Sequence, residues 1–288
     1  MMTIQDFTLH THTIGFDGKN TSAEMVATAR DSGFKTIGIS NHFIVHPDIK
    51  QTKMFGAAAA RGYDTMYNDS FDEALAKFLP HYEELARLQE QNPDIRILRG
   101  MEVDFFSSAK WRDGFSRACE ILKPDYLIGA AHFVEYGGTV CNVHDIAVAD
   151  SQTCDEMLSK YWKNIQILAG AGLFNWLAHL DLPKKRGLGE HAKWDSVKKE
   201  TIQVIANTRV LVEINTSGYK IGTGQPYPDQ KIMEMLAEYD VPVLLSDDAH
   251  DTGRIGCDFE QAHLQACENG IKNFANLQKI LDFRDKRL

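Results

Sequence analysis

The chain has 288 residues, of which 43% are hydrophobic and 25% charged, a composition typical of a globular protein with a substantial core. Its formal net charge of −9 argues against a nucleic-acid-binding protein, which would carry clusters of basic residues. We find neither a signal peptide nor an apolar run of about 20 residues that could cross a bilayer. The five cysteines are odd in number and form no CxxC pair, which favours a reducing compartment. Together, these features lead us to expect a cytoplasmic protein with no membrane partner.

Seven short apolar runs predict strands that alternate with helix-length segments along the chain. In chain order these runs are 7–10, 35–40, 95–103, 125–131, 174–180, 209–215 and 241–246. The first helical segment, 22–33, has Ser22 as its expected N-cap and Gly33 as its expected C′ residue. This alternation predicts parallel βα units, either closed into a barrel or wound as an open sheet.

Polar residues that can bind ligands occur at the end of every predicted strand. They are His10 and His12, His42, Glu102 and Asp104, His132, His179 and Asp181, Glu213 and Asn215, and Asp247, Asp248 and His250. In a barrel, the working residues collect at the carboxyl ends of many different strands. Their location therefore favours an α/β barrel, and a barrel of this length commonly forms one domain, here 1–288.

Nine of the residues in or near these strand ends have side chains suited to divalent metals. They are His10, His12, Asp17, His42, Glu102, His132, His179, Asp248 and His250. Imidazole and carboxylate suit Zn, Mn or Fe, and the absence of cysteine among these nine argues against a structural zinc site. Nine ligands are too many for one ion, so we predict two or three ions, as in multinuclear sites that hydrolyse phosphorus or carbonyl centres. Asp17 could instead form a turn with Gly18.

A phosphate ester would also need fixed cations and a proton donor. Arg186, Lys185 and Arg254 follow the fifth and seventh predicted strands, and arginine suits bidentate recognition of phosphate. The run 184–186 could equally be a solvated charge cluster. Asp104 and Asp247 are candidate catalytic acids by position, although either could instead orient a ligating histidine.

The motifs HTHT, GMEVD, GAAHF, AHLD and SDDAH, with one histidine after the second strand, together resemble the PHP (polymerase and histidinol phosphatase) metal-dependent phosphoesterases. The stretches GLFNWLAHLDLPKK, VEINTSGYK and PVLLSDDAH are similar in order and spacing to the histidinol-phosphate phosphatase branch. The resemblance runs from about residue 6 to about residue 260.

This resemblance implies a distorted (β/α)7 TIM-like barrel with a trinuclear site at the carboxyl ends of the strands. One ion would be held by His10, His12, Glu102 and Asp248, and Glu102 would bridge to a second ion on His132 and His179. His42 and His250 would hold the third. The branch usually offers a histidine in the loop after HTH, where this chain has Asp17 instead.

The function that the resemblance implies is hydrolysis of L-histidinol phosphate to L-histidinol, a step of histidine biosynthesis, by a metal-bridging hydroxide. Alternatives are a phosphoesterase for another small phosphate ester or a phosphodiester, a metal amidohydrolase, and a barrel that binds metal or phosphate without turnover. The long excursions at about 46–80 and 133–155 are expected to form lids or specificity surfaces. His46, His144 and Tyr63 could reach the substrate from them, His81 is expected to be an ordinary helix histidine, and the oligomeric state stays open.

Overall fold

A computed structural model describes residues 4–222 and 224–285 of the chain. The chain divides into two compact units. The first comprises the described residues up to Ile128 together with Ser246–Cys257, and the second comprises Gly129–Leu245 together with the described residues from Asp258 onward. The prediction of one domain over 1–288 stays a prediction. No helix in the described part of the chain is long and apolar enough to span a membrane.

The first unit is built from parallel strands and four α-helices. Its strands are β1 (Phe7–Thr8), β2 (Thr36–Ile39), β3 (His42–Val45), β4 (Tyr67–Asn68), β5 (Arg96–Asp104) and the start of β6 (Tyr126–Ala130). Its helices are α1 (Ser22–Asp31), α2 (Lys53–Ala59), α3 (Phe71–Gln91) and α4 (Ala109–Leu122). β1 pairs with β2, β2 and β3 both pair with β5, and β4 pairs with β3, all in parallel.

The sequence of β2, TIGI, is buried along its whole length, which is typical of a parallel strand that is covered on both faces. Tyr126 lies against β2 and β5 at two glycines, Gly38 and Gly100. A Cβ atom at Gly38 would lie 2.1 Å from the Tyr126 hydroxyl, and one at Gly100 would lie 2.2 Å from its ring. The Tyr126 hydroxyl donates a hydrogen bond to the carbonyl of Leu9, the residue before His10. The two glycines therefore make room for a buried ring that supports the end of β1.

The second unit contains the remaining strands and six α-helices of the described chain. Its elements are the end of β6, β7 (Phe133–Tyr136), β8 (Thr139–Asn142), α5 (Val143–Ile146), α6 (Ser151–Gly170), β9 (Trp176–Leu177), α7 (Asp195–Thr208), β10 (Leu211–Asn215), α8 (Gln230–Glu238), all but the last residue of β11 (Val243–Ser246), α9 (Phe259–Glu268) and α10 (Leu277–Asp285). β9 and β10 pair in parallel, and β10 neighbours β11. β7 and β8 form an antiparallel hairpin within the excursion 133–155.

All seven predicted strands are present, although most are shorter than their apolar runs; the first, for example, has only two residues. The predicted cap of the first helix is wrong by one residue. Thr21 is the N-cap of α1, because its side chain accepts the N–H of Glu24 while the Glu24 carboxylate accepts the N–H of Thr21. Ser22 is the first helical residue. Gly33 adopts a φ of +89°, which suits the expected C′ position.

Candidate metal centre

The segment after β1 and the segment after β11 lie side by side in the first unit. Thr11 and Ala249 form a parallel bridge. The N–H of His12 donates to the Ala249 carbonyl at 2.9 Å, and the N–H of Ala249 donates to the His10 carbonyl at 3.0 Å. This pairing brings Asp248 to the two histidines, with its Oδ1 atom 3.7 Å from Nε2 of His10 and 3.3 Å from Nε2 of His12.

The register of β3 on β5 brings two further ligands together, because His42 is the direct partner of Glu102. Nδ1 of His42 lies 2.8 Å from Oε2 of Glu102. The same carboxylate oxygen lies 3.5 Å from Nε2 of His10 and 3.6 Å from Nε2 of His12. One buried oxygen thus faces three imidazoles, so Glu102 would contribute to holding a cation with these histidines.

Asp17 joins the same cluster from the loop that follows HTHT. Its Oδ1 atom lies 3.5 Å from Nδ1 of His12, and its Oδ2 atom lies 3.1 Å from Nε2 of His42 and 3.0 Å from Nε2 of His250. The loop can turn back this tightly because a Cβ atom at Gly18 would lie 2.5 Å from the His12 carbonyl oxygen. Asp17 therefore takes part in the cluster while Gly18 makes the turn.

The donor set fits metal ions. His12, Asp17, His42 and His250 form one group, and His10, His12 and Glu102 form another, each with ligand atoms within 4.8 Å of one another. Both ring nitrogens of His12 and Oδ1 of Asp17 are buried without a hydrogen-bond partner among the described residues. Buried polar atoms are normally satisfied, so converging imidazole and carboxylate atoms in this state point to a cation that they would hold.

The burial and close approach of these side chains shift their pKa values. Burial and the neighbouring His250 lower the pKa of His12 to about 4. Burial opposes ionisation of Asp17, but His42, His250 and His12 outweigh it and hold its pKa well below the usual value. Burial also lowers the pKa of His250, but Asp17 outweighs it and raises that pKa to about 9. Without an ion, cationic imidazoles thus take over the role of balancing the carboxylates.

His132 and His179 both belong to the second unit, where their ring centroids lie 4.8 Å apart. The buried Glu213 carboxylate accepts the N–H of His179 at 3.0 Å and the side-chain amide of Asn215 at 2.7 Å. The ring of Tyr227 lies 6.2 Å from that of His179. This network fixes the segment that carries His179. The sharing of an ion between Glu102 and these two histidines stays a prediction.

The candidate acids are all buried at strand ends. Asp104 is the last residue of β5. Asp247 is engaged by its neighbours, because the Thr8 hydroxyl lies 2.9 Å from both carboxylate oxygens and the N–H of Gly256 donates at 2.7 Å. Burial outweighs these hydrogen bonds and raises the pKa of Asp247 to about 6. Such contacts are those of a group that ties β1 to the segment after β11, while its role as an acid stays a prediction.

The candidate phosphate-binding residues lie at the surface or near it. Lys185 and Arg186 end the 3-10 helix Leu182–Arg186 and are exposed. The Arg186 guanidinium donates to Nδ1 of His144, a residue of the excursion 133–155. Arg254 ends the short 3-10 turn that follows His250 and is half-buried.

Sequence reasoning missed the residues that hold the ligand-bearing segments in place. Asn41, which precedes His42, is fully buried and bonds to Thr13 in the HTHT loop. His81 is buried beside it. The only sequence signal for Asn41 is its place next to a ligand at a strand end, and His81 lies in a helix about 40 residues away with no motif around it.

The fold and the site define a class: parallel α/β proteins with clustered histidine and carboxylate ligands at the carboxyl ends of their strands. The PHP domain family model matches residues 6–217, so the chain belongs to the PHP domain family. The probable histidinol-phosphatase of Deinococcus radiodurans is 26% identical over 89% of this chain and 90% of that protein.

Two solved structures share the fold. A Listeria monocytogenes protein named hisK has a TM-score of 0.71 at 17% identity, covering 88% of this chain and 99% of that chain. The histidinol phosphate phosphatase of Lactococcus lactis, solved with zinc, L-histidinol and phosphate, has a TM-score of 0.68 at 17% identity, covering 96% of this chain and 98% of that chain. These likenesses confirm the predicted fold class, an α/β barrel of the TIM-like type.

Proposed function

We propose that this chain is a metal-dependent phosphomonoesterase that hydrolyses L-histidinol phosphate to L-histidinol and phosphate. The observation that carries the proposal is the cluster of seven ligands in the first unit, each with a ligand atom within 3.5 Å of one from another member, in a chain of the PHP domain family. The choice of substrate is supported by the Deinococcus relative, by its name, and by the L-histidinol and phosphate bound to the Lactococcus protein.

The cofactors are two or three divalent ions, with zinc, manganese and iron all suited to the donor set. Bound there, such ions lower the pKa of a coordinated water and take up negative charge on phosphate oxygens. His10, His12, Asp17, His42, Glu102, Asp248 and His250 are the ligands that we assign in the first unit. His132 and His179 are the ligands that we assign in the second.

The residues of the cluster have separate tasks. Glu102 would hold metal together with His10, His12 and His42, because its Oε2 atom faces all three imidazoles. Asp17 takes the position at which the histidinol-phosphate phosphatase branch usually has a histidine, and a carboxylate there favours a harder ion. Bound ions would supply the positive charge that phosphate oxygens need beside the three carboxylates, so substrate binding should depend on the metal.

Arg186, Lys185 and Arg254 are the residues that we assign to the phosphate or to the mouth of the site. The contact of Arg186 with His144 supports a role for the excursion 133–155 in substrate recognition. We assign Asp247 to positioning, since Thr8 and Gly256 occupy its oxygens, and keep Asp104 as the candidate donor of a proton to the leaving group. The free cysteines support a reducing compartment such as the cytoplasm.

The test is a phosphate-release assay on the purified protein supplied with Mn²⁺ or Zn²⁺. It compares L-histidinol phosphate with sugar phosphates, nucleotides and a phosphodiester, and it includes a chelator and the variant His10→Ala. A strong preference for L-histidinol phosphate that both the chelator and His10→Ala abolish is the expected result. A preference for another ester would agree with the proposed metal chemistry but would overturn the assignment of L-histidinol phosphate as the substrate. Bound metal with no turnover of any ester would overturn the proposal that the chain is an enzyme.

A further inference from the structure

The loop 13–18, which carries Asp17, is fastened to the end of β2 by one buried amide. The N–H of Thr13 donates to Oδ1 of Asn41 at 2.8 Å, and Nδ2 of Asn41 donates to the Thr13 hydroxyl at 2.9 Å. Thr13 and Asn41 are 1% and 0% exposed. The loop then folds on itself, because the N–H groups of Phe16 and Gly18 both donate to the Thr13 carbonyl. Thr13 is thus the anchor of the turn that delivers Asp17.

A helix residue completes the bonding of this amide. The second hydrogen of Asn41 Nδ2 points to Nε2 of His81 in α3, at 3.1 Å. Because Nε2 must accept this bond, the His81 proton resides on Nδ1, the nitrogen that lies 3.8 Å from a carboxylate oxygen of Glu84. The hydrogen bonds therefore run from α3 through His81 and Asn41 to Thr13.

The same helix also holds the loop by packing. The ring of Phe16, which directly precedes Asp17, is buried and lies edge-to-face against Phe78 at 5.1 Å and against His81 at 5.5 Å. His81 thus contacts the loop twice, once through Asn41 and once through Phe16. The two contacts can be separated by substitution, because only the first needs a ring nitrogen.

We infer that Asn41 and His81 are positioning residues that hold the loop 13–18 so that Asp17 meets His12, His42 and His250. The inference rests on the proposed metal centre and adds to it the device that aims its least regular ligand. Asp17 comes from a loop rather than from a strand end, so neither sheet pairing nor register fixes its place. Outer partners that orient a metal ligand are typically worth about 10–100-fold in metal affinity.

The decisive variant is His81→Phe, which keeps a ring against Phe16 and removes the acceptor for Asn41. We expect the affinity for metal, measured with Mn²⁺ or Zn²⁺ against a competing chelator, to fall by about tenfold. His81→Gln supplies an oxygen acceptor and should restore most of that affinity. Asn41→Leu, which removes both bonds to Thr13, should lower the affinity at least as far as His81→Phe.

The matched control is Tyr82→Phe, on the same helix and equally buried. It deletes one buried hydrogen bond, from the Tyr82 hydroxyl to the Gly100 carbonyl, and this carbonyl belongs to β5 rather than to the loop 13–18. The thermal unfolding midpoint of each metal-free variant shows whether a loss of affinity merely follows a loss of stability.

Three outcomes are distinct. Lower metal affinity in His81→Phe than in Tyr82→Phe at a similar unfolding midpoint supports the inference. Equal affinities in His81→Phe and the wild type overturn it while leaving the metal centre intact. A wild-type protein that binds neither Mn²⁺ nor Zn²⁺ overturns the proposed centre itself, together with the inference.

Discussion

The two units both bury ionisable side chains, but they satisfy them in opposite ways. In the first unit, His10, His12 and Glu102 converge with their ligand atoms within 4.8 Å. In the second unit, the buried lysines face carboxylates: Lys184 lies 3.2 Å from Asp181, and Lys198 lies 3.5 Å from Asp229. The first arrangement balances its carboxylates only with an added cation or with protonated imidazoles, whereas the second has lysines beside its carboxylates.

Hydrogen bonding sharpens the contrast. In the second unit the N–H of Asp229 donates to Asp181 at 2.8 Å, and the Lys184 ammonium donates to the Pro226 carbonyl and lies 4.6 Å from the centre of the Tyr227 ring. Each charge there has a fixed partner. A buried charge that is matched within the chain marks a structural network, and a convergence of imidazoles on carboxylates marks a site for a ligand.

The largest effect is expected from removing a ligand in the first unit. His12→Ala takes away the imidazole that belongs to both ligand groups. Metal content should fall, and kcat/KM for L-histidinol phosphate should drop by more than about a hundredfold, since even outer partners of metal ligands are worth up to that factor. Elemental analysis and steady-state kinetics measure the two effects. Full metal content in His12→Ala would contradict the assigned centre.

The next largest effect is expected in the second unit, where a substitution should lower the stability of the fold without removing any metal ligand. Lys184→Met leaves the Asp181 carboxylate buried beside a neutral side chain, which should cost about 3–5 kcal/mol of unfolding free energy. Burial already raises the pKa of Asp181 even with Lys184 present. Urea denaturation measures the change.

The control for this variant is the double substitution Asp181→Asn with Lys184→Met. It removes both charges and should recover much of the stability, because an uncharged buried amide costs far less than an unmatched carboxylate. If the double variant were no more stable than Lys184→Met alone, lost packing rather than unmatched charge would explain the first result.

A smaller effect is expected where the fold supports the end of β1. Gly100→Ala would place a Cβ atom 2.2 Å from the buried Tyr126 ring, and overpacking of this kind typically costs about 1–3 kcal/mol. The comparison is Gly56→Ala in α2, where a Cβ atom meets nothing within 4 Å and should stabilise the helix by about 0.5–1 kcal/mol. Thermal or urea unfolding of both variants checks the opposite signs.

The mildest perturbation, a change of pH with no substitution, concerns protons in the first unit. Burial lowers the pKa of His250, but Asp17 raises it to about 9, so this imidazole is charged at neutral pH in the metal-free protein. A metal ligand must be neutral, so binding should release this proton, and its release alone should raise the affinity by about tenfold per pH unit up to about pH 9. Calorimetric titrations in buffers of different ionisation enthalpy count the protons released.

The same group gives the opposite trend for the stability of the metal-free protein. A folded-state pKa above the unfolded value of 6.5 contributes stability that is complete below 6.5 and is lost as the pH rises through about 9. The metal-free protein should therefore become less stable over that range while its metal affinity increases. A metal affinity that did not change between pH 6 and pH 9 would contradict the assignment of His250 as a ligand.

Much of the fold could be predicted because its signals are local. Each strand of the parallel sheet is a short apolar run, and a ligand such as His42 or His132 lies shortly after the strand ends. The N-cap of α1 was missed by one residue, because Thr21 and Ser22 are chemically similar and only the reciprocal bond with Glu24 distinguishes them.

By itself, the sequence determined the alternation of strands and helices, the ligand types and their places at strand ends, because these follow from periodicity and from side-chain chemistry. Only the tertiary structure decided which ligands meet. The register His42–Glu102, the bridge Thr11–Ala249 and the convergence of Asp17 on His250 each join residues far apart in the chain. Their proximity depends on long-range strand pairing and on a loop fastened by buried contacts, and neither leaves a periodic mark in the sequence.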